Sequence, residues 1–152
     1  MAVEIRKLHK TILEICVHLV FTFIFSLIIY LKSGNLGYFI TFISGGILID
    51  LDHLIDYFLF FKNRFKLKDF LNAAFIESGK VYLILHSWEI NLIVFFLGLT
   101  IKSNGLLLLA LSLTIHLSID NLQRKNRLAY FFTYRVINKF DARILFPEHH
   151  SS

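Results

Sequence analysis

The chain has 152 residues, 56% of them hydrophobic, a formal net charge of +5 and a mean hydropathy of +0.64. That length, without a Pro/Gly/Ser-rich linker or an internal repeat, makes one domain, and apolar residues gathered in long blocks exclude an ordinary soluble core. Cys16 is the one cysteine, which excludes an intrachain disulfide.

The N-terminus is unlike a cleaved signal peptide. Charges persist to Lys10, Glu14 and His18 interrupt the apolar run, and no small-residue cleavage site follows. The first apolar block runs from about Ile12 to Leu31, long enough at about 1.5 Å per residue to cross about 30 Å of hydrocarbon. A second runs from about Leu36 to Phe61, a third from about Val81 to Ile101, and a fourth from about Gly105 to Leu122. Lys32-Ser33-Gly34-Asn35 and Lys102-Ser103-Asn104-Gly105 read as short turns joining antiparallel hairpins. An all-α polytopic membrane fold is expected, with four transmembrane helices in one bundle forming a single integral domain over 1–152.

Two further segments carry helical apolar spacing outside these blocks. Leu67, Phe70, Leu71, Ala74 and Phe75 mark Arg64–Ser78, and Leu128, Phe131, Phe132, Val136, Phe140 and Ile144 mark a basic tail over 124–146. Both are expected to be amphipathic helices lying on an anionic leaflet. Basic residues cluster before the first block (Arg6, Lys7, Lys10), between the second and third (Lys62, Arg64, Lys66, Lys68, Lys80) and in the tail. The positive-inside rule then puts both termini and the middle loop in the cytoplasm, so the expected location is the inner membrane. The same placement explains a pI near 9.4 by the bilayer as partner, with no nucleic acid.

The second block holds Gly45-Gly46-Ile47-Leu48-Ile49-Asp50-Leu51-Asp52-His53-Leu54-Ile55-Asp56. A charge at the bilayer centre costs at least about 2.5–3.5 kcal/mol, so these acids must face the interior of the bundle. His86-Ser87-Trp88-Glu89 lies on the third block and His116-Leu117-Ser118-Ile119-Asp120 on the fourth. On helical spacing, His86 shares a face with Glu89, and His116 with Asp120. Counted at about 1.5 Å per residue, all these groups fall between the midplane and about 12 Å below it. Gly45 and Gly46 let neighbouring helices approach closely. His18 with Glu14 reads as a satisfied pair near the interface and stands outside the group. No Lys or Arg falls within the second to fourth blocks at that depth, so a bound metal ion is the expected counter-charge, with a proton or ion relay as the alternative.

With these residues in place, the chain resembles the YdjM-like family of membrane-bound, metal-dependent hydrolases. Gly46 and Asp50-Leu51-Asp52-His53 match that family's Gly-rich approach to Asp-x-Asp-His. Leu85-His86-Ser87 matches its Thr-His-Ser, and Ile115-His116-Leu117-Ser118-Ile119-Asp120 its Ser-His-Leu-x-x-Asp. The His-x-x-x-Asp also looks like that of zinc-dependent phospholipase C and the single-strand-specific nucleases, which implies a phosphoester substrate.

The expected function is therefore hydrolysis of a lipid or lipid-linked phosphoester at the cytoplasmic leaflet. Asp50, Asp52, His53, His86, His116 and Asp120 are the expected metal ligands, with Asp56 and Glu89 as further ligands or the general base. Eight candidate ligands exceed what one tetrahedral ion uses, so two or more divalent ions are expected, zinc first, with Mn or Mg as alternatives. Two other classes compete. One is a small ion or metal transporter, although no inverted repeat is visible. The other is a lipid phosphotransferase of the CDP-alcohol type, which Gly46-x-x-x-Asp50 and Asp52-x-x-x-Asp56 faintly resemble.

Overall fold

The computed structural model describes residues 2–62 and 65–149. Arg64, part of the expected charge pattern, lies outside the described residues. The regular secondary structure of the described residues is all helical, apart from a lone antiparallel bridge between Lys80 and Asp141.

Helix α1 covers Ala2–Ser33 and α2 Leu36–Leu48, joined where the sequence predicts a turn. Gly34 supplies the left-handed backbone there (φ 65°), and its N–H returns to the Tyr30 carbonyl. Asn35 then caps α2 by accepting from the Gly37 and Tyr38 N–H groups. Helix α3, Leu51–Phe61, continues the same apolar block after a break at Ile49–Asp50. At the break the N–H groups of Asp50, Asp52 and His53 bond three residues back, to Ile47, Ile49 and Asp50. This tight turn interrupts the α-helix without a proline.

The middle segment folds as a short helix α4, Leu67–Leu71, and a 3-10 turn, Ala74–Ser78, rather than one amphipathic helix. The third apolar block departs most from expectation. Only Trp88–Thr100 is helical (α5), and 81–87 runs as irregular backbone with Leu83 at a positive φ of 43°. Helix α6 covers Asn104–Gln123 and is capped by Ser103. The expected tail helix is instead broken into α7 (Phe132–Ile137), α8 (Ala142–Leu145) and a final 3-10 turn. The reason is visible in its packing. Ala129, Tyr130, Ala142, Leu145 and Phe146 bury themselves against Ile49, Tyr57, Val81, Leu83 and Leu117, so the tail closes over one end of the helices. A flat surface helix could not fill that hollow.

Three stretches are long and apolar enough to cross a membrane: Thr11–Ser33, Leu36–Phe61 and Asn104–Gln123. Helix α5 has 13 residues, about 20 Å, too short to cross alone. Helix α1 packs on α2 and α6, α2 on α6, and α5 on α6. Glycines set these separations. A Cβ on Gly45 would stand 2.8 Å from Leu109 Cδ1, and one on Gly46 2.6 Å from Thr22 Cγ2. The glycine pair thus draws α2 against α6 on one side and α1 on the other.

Candidate metal centre

The irregular 81–87 stretch raises a backbone problem, because unpaired N–H groups in an apolar setting cost several kcal/mol each. Two predicted ligands solve it. Asp56 Oδ2 accepts from the N–H groups of Tyr82 (2.9 Å) and Leu83 (3.2 Å), and Asp52 Oδ2 accepts from that of His86 (2.8 Å). Both carboxylates are buried, on one face of α3 at i and i+4. They hold the stretch that carries His86 and deliver its ring to the centre of the molecule.

Glu89 does the same for the tail. It accepts from the N–H groups of Phe132 and Thr133, the Thr133 hydroxyl and the Ser87 hydroxyl, at 2.8–3.0 Å. The Phe132 and Thr133 groups are first-turn donors of α7, whose own N-cap, Phe131, makes no side-chain bond. The structure brings neither Asp56 nor Glu89 to the donor cluster.

What does converge is a ring of four donor atoms. Asp50 Oδ1 lies 3.5 Å from His86 Nε2 and 3.4 Å from His116 Nε2, and Asp120 Oδ2 lies 3.6 and 3.5 Å from the same two atoms. Ligand atoms on a tetrahedral zinc at about 2.0–2.1 Å stand about 3.3–3.4 Å from one another; Asp50, His86 and His116 fall together as one group of donors close enough to share an ion, and Asp120 groups with His116 and His18. The tautomers suit a shared ion too. His116 Nδ1 faces the Gly46 carbonyl at 3.0 Å and His86 Nδ1 faces Asp52 Oδ2 at 3.4 Å. With Nδ1–H donated to each oxygen, both Nε2 atoms keep their lone pairs. Neither Nε2 makes a hydrogen bond among the described residues, although both are buried. Buried polar atoms without a partner call for one, and a cation between these nitrogens and the two carboxylates would supply it.

Asp52 therefore stands one step behind the donors, on the back of His86, and His53 stands at the edge. Its Nε2 is 3.9 Å from Asp50 Oδ1, and its ring centroid is 4.7 Å from that of His86. His18, which sequence reasoning set aside, joins the cluster: Nε2 lies 2.9 Å from Asp120 Oδ1, and its ring stacks on His116 at 4.0 Å. His18, His116 and Asp120 make one set of donors within 4.8 Å of each other; Asp50, His86 and His116 make another. The sequence signal for His18 was its depth, level with Asp120, rather than its i, i+4 partner.

A second missed residue is Arg135. Its side chain is fully buried, and none of its guanidinium nitrogens has a hydrogen-bond partner among the described residues. Burial holds its pKa below the usual guanidinium value, while the charges of Asp52, Glu89 and Asp56 oppose that fall. The tail thus brings in a cation that no transmembrane block contains. Three residues after Phe132, Arg135 shares the apolar stripe of the tail, a place where a solvated arginine would not be. Tyr130 is buried beside it, and burial together with the charge of Asp120 pushes its phenol up.

A cavity of about 290 Å³ reaches this cluster between α1, the 70–76 segment and the end of α6, and His18, Asp50, His53 and Asp120 line it. No protein-family model, no curated protein and no solved structure matches this chain.

Proposed function

We propose that the protein is a membrane-embedded, metal-dependent hydrolase of a lipid or lipid-linked phosphoester at the cytoplasmic leaflet of the inner membrane. The observation that carries this reading is that the Nε2 atoms of His86 and His116 each lie 3.4–3.6 Å from both Asp50 Oδ1 and Asp120 Oδ2. Two imidazoles with two carboxylates favour zinc, with Mn or Mg as alternatives, and His18 with Asp120 Oδ1 offers a place for a second ion. The likeness to the YdjM-like hydrolases takes in these four positions together with Asp52 and His53. The charge pattern, with basic residues at both termini and in the middle loop, supports the cytoplasmic placement. The stretch 81–87 together with α5 makes the third of four passages.

A divalent ion held there supplies Lewis acidity, making a nucleophile of water near neutral pH and drawing charge from phosphoryl oxygens. The chain's own groups do the rest. Asp52 and the Gly46 carbonyl fix the two ligand rings, as outer partners do in metal sites. His53 lines the cavity beside Asp50, and in this reading its imidazole would serve as the general base. Glu89 and Asp56 are structural in this reading.

The test is phosphate release from the detergent-solubilised full chain with zinc or manganese, alongside elemental analysis of the same samples. About one or more ions per chain are expected in the wild type, with both metal and release lost in His116→Ala. A metal-free, well-folded wild type overturns the proposal. So does metal flux in liposomes without phosphate release, which marks a transporter.

A further inference from the structure

The cavity that reaches the donor cluster also has a chemically distinct second half. Its other walls are apolar: Ile15 and Leu19 from α1, Ile47 before the break, and Phe70, Leu71 and Ile76 from the middle segment. Ile15, Leu19 and Ile47 belong to the exposed apolar surface, so the wall continues into the face that α1 presents to lipid. Arg124, the residue following α6, also lines it. The guanidinium is nearly buried, 12% exposed, with Nε donating to the Tyr130 hydroxyl at 3.1 Å and Nη1 to Glu148 Oε1 at 3.4 Å. Held at two nitrogens, it is fixed in direction one helical turn from Asp120.

We propose that this cavity is a lateral, bilayer-facing entry for an amphiphile with one hydrocarbon chain and a phosphate head, and that Arg124 binds the phosphate beside the donor cluster. The inference rests on the hydrolase reading for what happens next, and on the cavity alone for binding. An amphiphile is the occupant because one wall is apolar and open toward lipid, while the other carries a fixed cation and ion ligands. A phosphate is the head group because a guanidinium and a divalent ion are its two usual partners. One chain is the limit because about 290 Å³ holds about ten water-sized groups, enough for a head group and the first part of one chain. Arg124 is a specificity residue, separate from the four donors. Without an ion, Asp50, Asp120 and Glu14 would repel the phosphate, so head-group binding and ion binding are coupled, each raising the affinity for the other.

The probe is dodecyl phosphonate, whose C–P bond a phosphoesterase does not cleave, titrated into the zinc-loaded full chain in neutral detergent. Inorganic phosphate and dioleoyl phosphatidic acid serve as comparisons. The phosphonate is expected to bind at least about tenfold more tightly than either. Arg124→Ala should lose about ten- to a hundredfold and Arg124→Lys less, the size of losing charged hydrogen bonds. Because Arg124 also holds the tail, Ile15→Trp provides an independent variant. It should weaken the phosphonate by narrowing the apolar wall and leave inorganic phosphate unchanged. Phosphonate no tighter than inorganic phosphate overturns the apolar entry, and equal affinity in wild type and Arg124→Ala overturns the role of Arg124. Either result leaves the hydrolase reading standing if phosphate release persists. Conversely, phosphonate binding without any release retains the pocket and removes the hydrolase.

Discussion

Asp52 and Asp120 are both buried acids beside histidines, yet they have different work. Asp120 offers Oδ2 to the space between His86 and His116, whereas Asp52 meets the N–H and Nδ1 of His86 from behind. Asp52→Asn keeps a carbonyl on the His86 N–H but removes the negative charge behind the ring. It should bind zinc about 10–100-fold more weakly while folding normally, as measured by chelator competition in detergent. An unchanged affinity would remove Asp52 from the site. The residue types were legible in the sequence here, and the roles were not. Carboxylates four residues apart on one helix face look identical until the neighbouring backbone is known, and that backbone becomes irregular for reasons that lie outside its own local pattern. Arg135 was hidden for a related reason: its counter-charges, Asp52, Asp56 and Glu89, are about 45 to 85 positions away in sequence.

At the level of helices, the close approach of α2 to α1 and α6 depends on Gly45 and Gly46. The same approach places the Gly46 carbonyl on His116 Nδ1. Gly46→Leu would drive a side chain into Thr22, which is buried. Overpacking of this kind costs about 1–3 kcal/mol. Both the melting temperature in detergent and the zinc affinity should fall, since the carbonyl moves with the helix. A loss of stability with full zinc affinity would separate packing from the site. The hairpins, the two turns and the glycine approach were readable, because length, caps and small residues are local signals. The shortening of α5 was not. The 81–87 stretch is as apolar as a helix, and it can leave the helical path because its N–H groups are taken elsewhere, those of Tyr82, Leu83 and His86 by the carboxylates of α3 and those of Val81 and Ser87 by the carbonyls of Phe140 and Leu85. The tail fails as a single helix because its Tyr130, Leu145 and Phe146 find a hollow to fill, which no periodicity records.

For the molecule as a whole, ligands from the α2–α3 break, the 81–87 stretch and α6, with His18 from α1, meet at one level. An ion shared by these elements, as proposed, would bind the folded chain and would have no equivalent site in a separated one. At a hundredfold excess over the dissociation constant, such an ion stabilises by about 2.7 kcal/mol. Chelation should therefore lower the melting temperature of the wild type and leave that of His116→Ala unchanged. A wild type indifferent to chelator would mean that the cluster holds no ion. The short α5 has a separate consequence, for the lipid around the protein. Leu92, Ile93, Phe95 and Phe96 are exposed on a helix of about 20 Å, beside spans that match a full hydrocarbon layer of about 30 Å. In the proposed four-passage reading the remaining height on that flank falls to 81–87, where Ile84 and Leu85 are exposed, so lipid there would meet non-helical backbone whose N–H groups Asp52 and Asp56 hold from within.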